Sequence, residues 1–285
     1  MGRGVAPPAA HAGPAQQGSV RLMADASTGS EKPDQYEQTA EFAGRTALVT
    51  GGSRGIGRST CRMLAEHGAR VAINYARNEE AAKAALAMVE ETGTEGMIVQ
   101  ADVSSEADVN RMAAEVRARL GPVDLLVNNA GIAKNQPHSE LAFADWKRMF
   151  EVNVDGVFLA TWAVKDEMIE RGFGRIVNVA SLAGIILKKD MIHYATTKAA
   201  VISLTRHCAE AFAPHNGRVN CVAPGLTDTD LAGSGNPGMI DRLIASTPMG
   251  RIAQPGEMAS VIRFLLSEDS SFVTGQTVTA CGGRS

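Results

Sequence analysis

Residues Thr46 to Gly57 read TALVTGGSRGIG: a short apolar strand, a turn built on glycines, and the opening of a helix near Ile56. A chain that runs from strand through glycine turn to helix brings backbone amides and the positive helix end to one spot. That arrangement suits a pyrophosphate, and glycine supplies the close approach and the φ freedom that the turn needs. Gly51, Gly55 and Gly57 stand in TGxxxGxG spacing, distinct from the GxGxxG dinucleotide fingerprint. Ser53, Arg54 and Ile56 complete the loop, and all six residues are candidates for holding a cofactor.

The same alternation continues outward. Strands are expected at Thr46–Thr50, Arg70–Asn74, Gly96–Ala101, Asp124–Val127, Ile176–Val179, Arg218–Val222 and Gln276–Thr279. Helices are expected at Glu79–Thr92, Trp146–Val164, from Ile192 onward, and at Pro255–Leu266. Strands alternating with helices predict an α/β fold, a doubly wound parallel sheet, in a single domain over residues 44–285. Leu231 to Ile244 carries GSGNPG and reads as a loop, a mobile lid over a substrate. Residues 1–43 are rich in Ala, Gly, Pro, Gln and Ser without a hydrophobic period, which predicts a disordered or loosely attached extension. Met23 offers an alternative start, and Arg3 and Arg21 without an acid faintly suggest a transit peptide, against which the Pro content speaks.

Composition narrows the function classes. A chain of 285 residues, 45% hydrophobic with a formal net charge of −3, has no basic surplus for nucleic acid. It has no apolar run of bilayer-spanning length and no secretory core at its amino terminus, so a cytoplasmic protein with no membrane partner is expected. Cys61, Cys208, Cys221 and Cys281 lie far apart with no ligand spacing among them or the six histidines, so neither disulfides nor a metal site is expected.

The stretch Ile176 to Lys198, IVNVASLAGIILKKDMIHYATTK, brings a hydroxyl, a phenol and an amine within reach of one site. Ser181 follows a strand end, where ligands of open α/β sheets bind. Tyr194 and Lys198 are i and i+4 on one helix face. An ammonium beside a phenol favours the phenolate, lowers a pKa near ~10, and makes the pair a general acid or base. Ser181 can then hydrogen-bond an oxygen on which negative charge collects. YxxxK alone is equally the face of an amphipathic helix.

With Ser181 thirteen residues before Tyr194, the chain resembles the short-chain dehydrogenase/reductase family. The resemblance covers about residues 43–283 and includes the TGxxxGxG loop, NNAG at Asn128–Gly131, Asn153 in FEVNVDGVF, and Pro224, Gly225 and Thr229 of the PGxxxT segment. It implies a Rossmann-type NADP(H)-binding fold, with Asn153, Ser181, Tyr194 and Lys198 catalytic and Asn153 holding a water that links the lysine to solvent. Tyr194 and Lys198 also touch the cofactor. By the same resemblance Asp102 and Val103 lie at the adenine, with helix capping as an alternative role for Asp102. Asn129, Ala130 and Gly131 lie on the nicotinamide side, and Pro224, Gly225, Thr227 and Thr229 at the carboxamide. Tyr75 stands where NAD-dependent relatives carry Asp, and Arg54 and Arg77 supply charge for a 2′-phosphate, so NADP(H) is the expected cofactor.

Within the family the chain looks nearest to the 3-oxoacyl-acyl-carrier-protein reductases, which implies a carbonyl or acyl-thioester substrate and a homotetramer. The nominated pocket residues are Ile132, Leu182, Ile185, Ile186, Leu187, Met191, Leu226 and Leu231. A secondary-alcohol, sugar or steroid dehydrogenase is the alternative activity, and a non-catalytic NADP(H)-binding module the alternative class.

Overall fold

Seven strands pair in parallel in the order β3-β2-β1-β4-β5-β6-β7 in a computed structural model that describes Met1 and residues 40–230 and 237–284. Contacts divide the chain into residues Met1–Glu37 and Gln38–Ser285, and every element below belongs to the second unit. The strands are β1 Thr46–Val49, β2 Arg70–Tyr75, β3 Gly96–Gln100, β4 Leu125–Asn128, β5 Gly174–Val179, β6 Gly217–Pro224 and β7 Thr277–Ala280. The helices are α1 Gly55–Glu66, α2 Glu79–Glu90, α3 Glu106–Leu120, α4 Phe143–Phe150, α5 Gly156–Glu170, α6 Ile192–Phe212, α7 Pro237–Ala245 and α8 Pro255–Leu266.

β1, β4 and β5 are buried along their whole length, as parallel strands covered on both faces must be. Side chains alternate between the faces. In β1, Ala47 and Val49 join Leu64, Ile73, Ile262 and Leu265 on one side, while Leu48 joins Met112, Val116, Leu126 and Val164 on the other. Chain order reverses between β1 and β4, so a crevice opens at the carboxyl ends of those two strands. Among the described residues no helix is long and apolar enough to cross a membrane.

Three expectations need correction. The helix expected over Trp146–Val164 begins at Phe143 and is interrupted by a π turn, Glu151–Asp155, between α4 and α5. The loop expected through Ile244 becomes α7 at Pro237, because proline is favoured in the first turn of a helix and MIDRLIA contains strong helix formers. The remainder of that lid, residues 231–236, lies outside the described residues. Finally, residues 40–43 do not belong to a loose extension. Phe42 is 3% exposed and meets the His67 ring edge-on at 6.1 Å, its N–H donates to His67 O at 2.8 Å, and Glu41 pairs with Arg263 at 2.9 Å. One aromatic side chain carries enough apolar area to dock a segment whose average composition is polar. The rest of the expected extension, residues 2–39, lies outside the described residues.

Phe42→Ala should therefore lower unfolding free energy by about 3 kcal/mol, the usual loss for truncating a buried phenylalanine. Urea denaturation reads this directly, and a change under ~0.5 kcal/mol, typical of surface sites, would contradict the packing.

Candidate active site

The glycine loop is held from both neighbouring strands. Asn129 Nδ2 donates to Thr50 O and Gly51 O at 3.0 and 2.9 Å, and Thr50 Oγ1 accepts from the N–H groups of Asn129 and Ala130 at 3.0 and 3.1 Å. From β2, Asn74 Oδ1 accepts from Gly51 N–H at 3.1 Å. Thr50 and Asn74 were not among the sequence candidates, although a polar residue near the end of an apolar strand was the available signal.

Gly51 and Gly55 adopt φ of +60° and +52°, and a Cβ on Gly57 would lie 2.3 Å from Gly51 O. No side chain caps α1, whose N-cap is Arg54, whereas α2 and α3 are capped by Asn78 and Ser105. An uncapped helix end walled by glycines fits the pyrophosphate of a dinucleotide, since the first amides of α1 and its dipole face the glycine turn. Thr229 Cγ2 lies 2.9 Å from where a Cβ on Gly55 would stand, so the segment after β6 closes on the same loop.

At the end of β2, Tyr75 is buried and Arg77 is exposed, with no ion pair to any described residue. Arg54 is already engaged: its Nη1 meets Asp230 at 2.9 Å, with both side chains exposed. Asp102 accepts from Ser104 N–H and Oγ at 3.0 and 2.6 Å and pairs with Arg148 at 3.2 Å. Its carboxylate therefore closes the turn before α3, while the helix cap itself is Ser105. Val103 is buried against Gly156, where a Cβ would approach its Cγ2 to 2.8 Å.

Deeper in the crevice, Asn128 Nδ2 donates to Thr161 Oγ1 and Asn178 Oδ1, and Asn178 Nδ2 donates to Thr205 Oγ1. This buried chain ties β4 and β5 to α5 and α6. Asn153, fully buried in the π turn, accepts from Ile132 N–H at 2.8 Å and donates to Ile132 O, Thr197 Oγ1 and Met149 Sδ at 2.9, 3.1 and 3.2 Å. A π turn inserts one residue into the helical ladder and is common at functional sites. Here it presents a mid-helix amide to the backbone that follows β4.

Gly131 lies between the polar groups: a Cβ there would stand 3.2 Å from Asn153 Oδ1 and 3.5 Å from Lys198 Nζ. Lys198 is buried and its Nζ donates to Val179 O at 2.8 Å. Ser181 begins the short turn after β5 and accepts from Ala183 N–H at 3.1 Å. Ser181, Tyr194, Lys198 and Asn153 thus converge at the carboxyl ends of β4 and β5. Of the nominated pocket residues, Leu182 is buried, Ile186, Met191 and Leu226 are half-buried, and Ile132, Ile185 and Leu187 are exposed. Leu231 lies outside the described residues. Thr227 is buried, with Oγ1 bonded to Gly225 O at 3.2 Å.

The electrostatics of the pair differ from the sequence expectation. Burial pushes the Tyr194 phenol up, and its hydrogen bond with Ser181 only partly offsets this. Burial likewise pushes the Lys198 amine down to about 8. In the protein alone the amine does not bring the phenol down: it stands 5.8 Å from the ring centroid, bound to Val179 O, and the low-dielectric surroundings penalise both charged forms. His193 is also fully buried; neither ring nitrogen has a protein partner, and burial pushes its pKa down.

An amine with a folded pKa of about 8, below its ordinary 10.5, binds fewer protons folded than unfolded over that interval. Its contribution to stability therefore rises with pH from about 8 toward 10. Lys198→Met should flatten the rise in thermal midpoint measured across that window, and an unchanged slope would show that the amine is not desolvated.

The sequence profile described as short chain dehydrogenase matches residues 45–239. The chain is 36% identical over 239 residues to a 3-oxoacyl-(acyl-carrier-protein) reductase FabG of Staphylococcus epidermidis, covering 84% of this chain and 98% of the relative. Levodione reductase superposes with a TM-score of 0.82 at 34% identity, covering 85% of this chain and 98% of that structure. A 3-oxoacyl-(acyl-carrier protein) reductase with bound NAD from Brucella melitensis superposes with a TM-score of 0.81 at 32% identity, covering 90% and 97%. With the family profile spanning most of the catalytic unit and this likeness running nearly end to end along its relatives, the chain belongs to the short-chain dehydrogenase family and is an oxidoreductase.

Proposed function

We propose that the chain is an NADP(H)-dependent carbonyl reductase acting on 3-oxoacyl thioesters, carried above all by the convergence of Ser181, Tyr194, Lys198 and Asn153 beside a glycine-walled dinucleotide cradle. The glycine loop would hold the pyrophosphate and Asp102 and Val103 the adenine side. Asn129 to Gly131, and Pro224 to Thr229, would flank the nicotinamide. When bound, the nicotinamide supplies the hydride. The Tyr194 hydroxyl donates the proton to the substrate oxygen, and Ser181 Oγ donates a hydrogen bond to the same oxygen as charge develops on it. The Lys198 amine, near pKa 8, exchanges protons close to neutral pH and so can resupply Tyr194. Asn153 holds the Ile132 backbone and lies beside the lysine, which keeps that proton route in place. Similarity to the Staphylococcus reductase supports the acyl-thioester substrate. Similarity to levodione reductase favours a cyclic ketone as the second reading.

NADP(H) is supported by Tyr75 at the strand end and by Arg77, which has no acid partner among the described residues. The NAD held by the Brucella relative favours NAD(H) as the alternative. The exposed stack of Phe158 on Trp162, with ring centroids 4.1 Å apart, supports assembly through α5 into the homotetramer that the family resemblance implies.

Tyr194→Phe should cut turnover of acetoacetyl thioesters by ~10² to 10⁴-fold, the range of general acid–base catalysis, while the cofactor dissociation constant stays within about twofold. Substantial residual turnover would overturn the mechanism. Replacing Arg54 and Arg77 together by alanine should weaken NADPH binding at least ~10-fold by calorimetry and leave NADH binding nearly unchanged, since two charge-assisted contacts are lost. A wild-type protein that binds NADH more tightly would refute the NADP(H) assignment.

A further inference from the structure

Tyr194 is the third residue of α6, and among the described residues no side chain caps that helix start. Helix ends of this kind fray, and fraying would move a hydroxyl that has to meet a substrate oxygen. Part of the hold on this turn is at Tyr194 itself, whose ring packs with Met149 of α4 and with Ala183. The rest comes from the loop that follows β4.

That loop begins at Ile132, whose N–H and carbonyl are both bonded to the Asn153 amide, and from Lys134 to Glu140 it is exposed at every residue but one. Gln136 is 6% exposed. Its N–H donates at 2.7 Å to the carbonyl of Asp190, two residues before α6 begins. Its Nε2 donates to Glu140 O at 2.8 Å, which closes the loop on itself, and to Asp145 Oδ2 at 3.1 Å. Asp145 stands one helical turn before Met149, on the face of α4 that meets Tyr194. Lys134 Nζ bonds its other oxygen at 2.9 Å, and that amine, then the Gln136 amide, hold the carboxyl below the usual aspartate range. The bond from the buried amide is therefore charge-assisted. His193, fully buried beside Tyr194, lies against the same groups: after burial, Asp145 and Lys134 are the charges that act on its ionisation.

We infer that Gln136 is a positioning residue for the proton donor: by tying Asp145 of α4 to the Asp190 carbonyl, it holds the uncapped first turn of α6 and so fixes where the Tyr194 hydroxyl stands. This rests on the reading of Tyr194 as proton donor and adds to it a residue outside the four that converge at the strand ends. Glutamine suits the position because a glutamate would set a second carboxylate against Asp145.

Gln136→Met keeps the length of the side chain and removes its donors. With acetoacetyl-pantetheine, kcat and kcat/KM should fall together by roughly 10- to 100-fold, the scale of a misplaced reacting group, while the cofactor dissociation constant stays within about twofold. Hydrogen exchange should quicken at the Met191 and Ala195 amides, which bond Lys188 O and Met191 O at 3.1 and 2.8 Å, and stay unchanged in α1. Gln136→Glu gives a sharper signature. At a pH of about 8 the two carboxylates repel and the loss of kcat should match that of Gln136→Met. Towards a pH of about 5.5 the pair can share a proton, an O–H then donates where the amide did, and the ratio of variant to wild-type kcat should climb towards one. A purely structural role would lower the thermal midpoint and leave kcat and its pH profile unmoved. Wild-type kcat in Gln136→Met, unchanged exchange at Met191 and Ala195, or a Gln136→Glu ratio flat with pH would each overturn the inference. Quickened exchange in a protein whose wild type reduces no carbonyl would uphold the hold on α6 and overturn the carbonyl-reductase reading instead.

Discussion

A lysine amine lies in the interior of this protein, bonded to the carbonyl of Val179 and set beside Gly131 and Asn153. The position a Cβ would occupy on that glycine is 3.2 Å from Asn153 Oδ1, a tight approach, and 3.5 Å from Lys198 Nζ, an ordinary contact, so a side chain there would press first on the asparagine. Much of the local architecture answers to that constraint. The π turn delivers Asn153 to the Ile132 backbone, Val179 O receives the amine, and Thr197 is bonded both to Asn153 and to Tyr194 O. A buried base of this kind costs stability at neutral pH, which is the usual relation between a reactive group and the fold that carries it.

The cradle beside it is built by a different device, backbone satisfaction. Asn129, Thr50 and Asn74 use their side chains to bond the loop and strand ends, so the glycine turn is held by hydrogen bonds from both neighbouring strands. The start of α1, which follows the glycine turn, carries no side-chain cap. The contact of Thr229 with Gly55, and the ion pair of Arg54 with Asp230, join this loop to the segment that leads toward α7.

Local sequence pattern carried much of the reading. Buried strands appear as uninterrupted apolar runs, glycine spacing fixes the first turn, and Tyr194 with Lys198 at i and i+4 must share a helix face. Errors arose where an average stood in for a single residue. Phe42 docks a segment whose composition is polar, and Pro237 starts a helix inside a stretch that glycine and proline mark as a loop. The π turn was not legible at all, because a helix with one inserted residue has the same composition as one without it.

Charge states divide along the same line. The sequence by itself determined which groups are present, their order along the chain, and the sheet edge at which they emerge, since these follow from periodicity and from the parallel connection of strands. Only the tertiary structure decided how those groups are paired and solvated. It bonded Lys198 to Val179 O, set Arg54 against Asp230, and gave Asp102 to Ser104 and Arg148. Ionisation and ion pairing depend on burial and on neighbours distant in the chain, and neither quantity is encoded in a window of sequence.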